Sequence, residues 1–121
     1  MATLTPTLTL ASTDATSDAL SFTVTDSLTV AAAGNVGLSR VTITTADDQE
    51  LVDEAVSGVF YFYIKNLDGT NFVILQTTAS VQYDRVGPGE FAFFAVNDSN
   101  GLECRADTAS CNIEYAYWKK G

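Results

Sequence analysis

The chain of 121 residues contains no histidine. That removes the usual base from Ser-His-Asp and Cys-His nucleophile systems and a common nitrogen ligand from zinc sites. Basic residues are also scarce: six Lys and Arg stand against fifteen Asp and Glu, for a net charge of −9, and none precedes Arg40. A surface that neutralises phosphates needs clustered Lys or Arg, so direct nucleic-acid binding is disfavoured. Long apolar runs are missing too. No stretch approaches the roughly eighteen apolar residues of a membrane helix. MATLTPTLTL has no basic start and no continuous apolar stretch, so neither a membrane span nor a secretory signal is expected, and synthesis in a cytoplasm is. No segment longer than one turn carries the apolar period of a helix.

What remains is a globular β pattern. The composition is 46% hydrophobic with seven Phe and five Tyr, enough for one core in a single domain spanning 1–121. Leu8 and Leu10, then Leu20, Phe22 and Val24, then Leu28 and Val30, then Val41 and Ile43 alternate with Thr, Ser or Arg, as half-buried strands do. Twelve of the sixteen threonines fall in positions 1–45, and Pro6 cannot donate a ladder hydrogen bond, so residues 1–19 are expected to form an edge strand or an extended arm. Further on, LDGT is expected to close a tight hairpin between VFYFYIKN and FVILQT. Pro88-Gly89 marks a turn before EFAFFAV, NDSNG reads as a loop, and GLECRA with CNIEYAYW reads as a last hairpin around DTAS. Eight to ten short strands about ten residues apart predict an antiparallel β-sandwich or jelly roll.

Catalytic chemistry finds little footing. The carboxylates are spread singly, with no spacing that singles out a pair for glycoside hydrolysis. The densest acidic run, Asp47, Asp48, Glu50, Asp53 and Glu54, lacks the glycine and alternating ligands of a calcium loop and reads as solvated. No metal and no cofactor is expected. Folding the last hairpin around Asp107 and Thr108 sets Cys104 opposite Cys111, which leaves a disulfide or two adjacent buried thiols; cytoplasmic synthesis favours the thiols. Tyr115, Tyr117 and Trp118 read as core or interface, with a sugar-stacking platform as the alternative.

Two strands are apolar on both faces. In VFYFYI, Phe60, Phe62 and Ile64 oppose Val59, Tyr61 and Tyr63; in EFAFFAV, Phe91, Phe93 and Ala95 oppose Ala92, Phe94 and Val96. One face can pack in the sandwich, leaving Tyr61, Tyr63, Phe94, Tyr117 and Trp118 as candidates to meet another subunit. Alternatively, a loop covers the second face from within.

Ile64, Lys65, Asn66, Asp68, Thr70, Asn71 and Val73, then Pro88, Gly89, Glu90, Ala92 and Phe94, then Ile113, Glu114 and Tyr115, form an ordered string. It resembles a pattern in small virion proteins of tailed bacteriophages. The resemblance implies a non-enzymatic particle component: first a capsid decoration protein on the outer surface of the head, with the major capsid protein as partner, and second a tail, neck or fibre component. A homo-oligomer, with a trimer favoured, is expected with it. A carbohydrate-binding module using Trp118 is the reading from a different class.

Overall fold

The computed structural model describes residues 1–47, 49–52, 58–96 and 101–121. Runs such as Phe60–Asn66 and Val73–Gln76 are dense in β-branched and aromatic side chains, which suit a pleated, buried surface. The strands in chain order are β1 (Ala2–Leu4), β2 (Thr7–Ser12), β3 (Leu20–Thr25), β4 (Leu28–Val30), β5 (Val36–Ile43), β6 (Gln49–Val52), β7 (Phe60–Asn66), β8 (Val73–Gln76), β9 (Gln82–Val86), β10 (Phe91–Val96), β11 (Leu102–Ala106) and β12 (Cys111–Lys119). The expectation of eight to ten strands undercounts them.

The last eight strands pair from the outside inward. β5 pairs with β12, β6 with β11, β7 with β10 and β8 with β9, all antiparallel. Rolling this long ribbon adds the pairs β7 with β12 and β8 with β11, which closes two four-stranded sheets of order β10-β7-β12-β5 and β6-β11-β8-β9. That winding is the jelly roll.

Its core lies between the sheets. Phe60, Phe62, Ile64 and Ile113 from one sheet meet Val73, Leu75, Leu102 and Val86 from the other, and all are buried. Each fully buried side chain of this size contributes about 1.5 to 3 kcal/mol relative to exposure.

The turns depart from the sequence expectation in an instructive way. Consecutive strands mostly sit in opposite sheets, so LDGT does not close a β7–β8 hairpin; it carries the chain across the sandwich. Gly69 is not among the residues of positive φ. The crossing is shaped by side-chain caps instead. Asn66 Oδ1 accepts from Asp68 N at 2.9 Å, and Asp68 Oδ2 accepts from Thr70 N at 2.9 Å and Asn71 N at 2.6 Å. DTAS likewise bridges β11 and β12 across the sheets, so GLECRA and CNIEYAYW are not a hairpin. The Pro-Gly turn matches expectation: Glu90 N donates to Gly87 O at 3.0 Å, with Gly89 at φ 73°, the type II geometry that puts Pro at the second position and Gly at the third.

Residues 2–30 form a second, smaller ribbon. β1 pairs with β4 and β2 with β3, and Asp26 N donates to Pro6 O at 3.2 Å where the two halves meet. The ribbon is rooted on the sandwich through the bridge between Val30 and Lys120 and the bond from Gly121 N to Thr29 O. The expected arm over 1–19 is thus half of a paired arm whose second strand runs to residue 25.

Candidate functional site

The alternation read from β7 and β10 holds, and the register decides which side is which. Phe94 stands opposite Phe62, so Ala92, Phe94 and Val96 join the core side, while Phe91 and Phe93 stand opposite Lys65 and Tyr63 on the outer side. Phe94 therefore does not belong to an open face. Its ring lies 5.7 Å from Phe62 and 6.2 Å from Tyr83, wedged between the two sheets.

Tyr117 also turns inward, edge-on to Phe60 at 5.6 Å. Trp118, the next residue, must point the other way. It pairs in register with Tyr61 on the outer side. The strand thereby splits the aromatic cluster that a sugar platform needs. Of the five candidate interface residues, Tyr61, Tyr63 and Trp118 share the outer face, and Phe94 and Tyr117 pack against the core.

The outer face has two characters. Toward β5 it is polar: Tyr63 donates to Glu114 Oε1 at 2.8 Å, and Glu114 Oε2 lies 3.8 Å from Arg40 Nε. Burial, then the hydrogen bond to Glu114 and its charge, push the Tyr63 hydroxyl up to about 12, so it stays a neutral donor. Toward β10 the face is apolar. Phe93 stacks on Tyr61 at 6.3 Å, and Phe91 and Phe93 remain 61% and 39% exposed.

A groove of about 570 Å3 runs along this apolar half, walled by Pro6, Thr7, Leu8, Val24 and Asp26 at the base of the arm and floored by Phe91 and Phe93 beside Tyr63. The apolar surface continues out along the arm. Leu8 faces Val24 and Leu10 faces Phe22, and the four side chains are 40%, 52%, 43% and 44% exposed. The opposite face of the arm is a threonine ladder, with Thr7 bonded to Thr25 at 3.1 Å and Thr9 to Thr23 at 3.0 Å. The half-buried pattern expected of Leu8, Leu10, Phe22 and Val24 is present as alternation, but all four apolar side chains stay exposed.

The cysteines are separate buried thiols. Cys104 sits on β11 and Cys111 on β12, in different sheets, and no disulfide joins them. Cys104 Sγ lies 3.7 Å from Gln49 O, and Cys111 Sγ lies 3.6 Å from Ala109 O. Burial, reinforced by Glu103, pushes the Cys104 thiol up to about 12, and burial raises Cys111 as well. Neither is a nucleophile near neutral pH.

Of the acidic run, Asp48, Asp53 and Glu54 lie outside the described residues, as do positions 97–100 of the NDSNG loop. Asp47 pairs with Arg105 at 3.2 Å. One carboxylate pair escaped the sequence reading, because only strand register shows it: Glu50 stands opposite Glu103 across β6 and β11. Neither residue lines the groove under the arm or a further concavity at Arg40, Thr42, Leu67 and Asn112. Among the described residues no three His, Cys, Asp or Glu side chains gather as a metal site.

Five residues of the ordered string, Asn66, Asp68, Asn71, Gly89 and Glu90, meet where two crossings between the sheets approach each other. Asn66, fully buried, donates through Nδ2 to Asn71 O at 2.8 Å and Val86 O at 3.1 Å, while its backbone N donates to Glu90 O at 3.0 Å and its O accepts from Gly89 N at 3.1 Å. Glu90 Oε2 in turn accepts from Gly87 N at 2.7 Å. Asn66, Asp68, Asn71, Gly89 and Glu90 are a clamp that holds the β7–β8 crossing to the β9–β10 crossing. Comparison with protein-family models, curated proteins and solved structures finds no match to this chain.

Proposed function

We propose that this protein is a non-enzymatic structural component of a phage particle, most naturally a decoration protein that attaches to the outer surface of the assembled head and reinforces it. The observation that carries the reading is the continuous apolar surface formed by the groove and the arm. Surfaces of this kind mark a place that another polypeptide covers, as neighbouring subunits do in a layer laid over a shell. An acidic particle also suits the outside of a shell better than the side facing packaged DNA.

The motif residues serve the fold of this chain through the Asn66 clamp, so the functional weight rests on the surface. Immunogold labelling tests the reading, using antibody against the purified protein on virions of a phage that encodes it. Label over the head surface is expected. Label confined to the tail, or absent from the particle, would overturn it.

A further inference from the structure

The groove and the arm form two halves of one contact, and we propose that their occupant is a second copy of this chain: the apolar face of one arm is covered by the apolar surface of a neighbouring copy. A two-stranded ribbon is marginal in water unless its apolar face is covered, and β2 and β3 hydrogen-bond to no other strand. Leu8 and Val24 meet the groove at the base of the arm, Leu10 and Phe22 lie beyond it, and all four side chains stay exposed.

The area matches a self-contact. At their fractional exposures these four side chains, with Phe91 and Phe93, leave about 500 Å2 of apolar surface open on each copy, near the upper end of what monomers tolerate. Two copies that cover each other's surface remove about 1,000 Å2 before any polar rim is counted, the threshold for a specific interface. One chain supplies both the protruding arm and the grooved floor, which is what mutual covering requires.

The signs of charge at the edges agree. The arm carries acids alone, Asp14 and Asp18 at its tip and Asp26 at its base. The floor ends at Lys65, opposite Phe91, and Lys65 makes no ion pair among the described residues. No charged residue interrupts the apolar face between the tip and the base of the arm.

The proposal holds whether or not the protein sits on a virion, so its test uses the purified full chain. Sedimentation velocity between roughly 1 and 100 µM should show a species larger than the monomer. Leu10→Asp on the arm and Phe91→Asp on the floor should each weaken that association by at least about tenfold, since each places an unpaired charge in the contact. Val81→Asp, the same change at an exposed valine before β9, should leave it intact. Leu10 lies on no strand of the sandwich, so Leu10→Asp still decides if Phe91→Asp fails to give a cooperative melt. A monomer at every concentration, an assembly indifferent to Leu10→Asp, or equal loss with Val81→Asp would each overturn the proposal. A monomer would leave the surface to a different protein.

Discussion

Asn66 shows how one side chain can hold a fold together from the last position of a strand. It is fully buried, and its amide closes three hydrogen bonds. Asn66→Ala should destabilise the protein by about 2 to 4 kcal/mol, because Asn71 O, Val86 O and Asp68 N lose a partner together. A urea titration at constant slope measures this, and a loss within experimental error would show the clamp to be replaceable. Asp68, beside it, is held below the ordinary carboxylate range by the backbone N–H of Asn71 and then that of Thr70. A carboxyl lowered in the folded state stabilises above its unfolded pKa, near 3.9, and loses that contribution as pH falls through the folded value. Asp68→Asn should therefore melt below wild type at pH 6, with the gap narrowing below about pH 4. Phe94 belongs to the same scale. Wedged between Phe62 and Tyr83, Phe94→Ala should cost about 2 to 4 kcal/mol of folding stability in the same titration while leaving self-association of the folded protein unchanged. Lost association with an intact melt would return Phe94 to the interface.

At the scale of the element, the strands were legible in the sequence and their partners were not. The alternation in Phe60–Asn66 and Phe91–Val96 located both strands and both of their faces. Which face is inner depends on register, and register in this fold is set between strands far apart in the chain, such as β5 with β12. Local reasoning assumes that neighbours in sequence pair, which holds about two-thirds of the time. Here β8 with β9 is the one such pair among the eight strands of the roll, which is why LDGT and DTAS are not hairpins and Cys104 does not stand opposite Cys111. Pro88-Gly89 was legible because a type II turn needs only its own four residues. The arm was half legible. Pro6 and the threonine-rich strands pointed to an edge, but Leu8, Leu10, Phe22 and Val24 were expected to be covered, since periodicity reports that a strand has two faces and not whether anything lies against them. The groove could not be read at all, because its wall and floor come from residues 6–26 and 63–93.

For the whole molecule, the shape and the charge pull in opposite directions. The nested pairing of the roll leaves an apolar stripe from the β10 edge to the arm, which draws copies together, while a net charge of −9 on every copy holds them apart. Salt separates the two effects. Apolar contact depends little on ionic strength in the moderate range, whereas repulsion between like-charged particles is screened as the Debye length falls from about 10 Å at 0.1 M to about 3 Å at 1 M. Exposed ion pairs at the rim, such as Lys65 with an aspartate of a neighbouring arm, are worth only about 0 to 1 kcal/mol and are themselves screened. The net repulsion should win over them. Self-association is therefore expected to tighten several-fold as sodium chloride rises from about 0.02 to 0.5 M, the range over which screening develops. Sedimentation across that series measures it. Weakening with salt would mean that charge pairs, and not the apolar faces of Leu10, Phe22, Phe91 and Phe93, carry the contact, and Lys65→Ala would then dissociate the copies where Leu10→Asp does not.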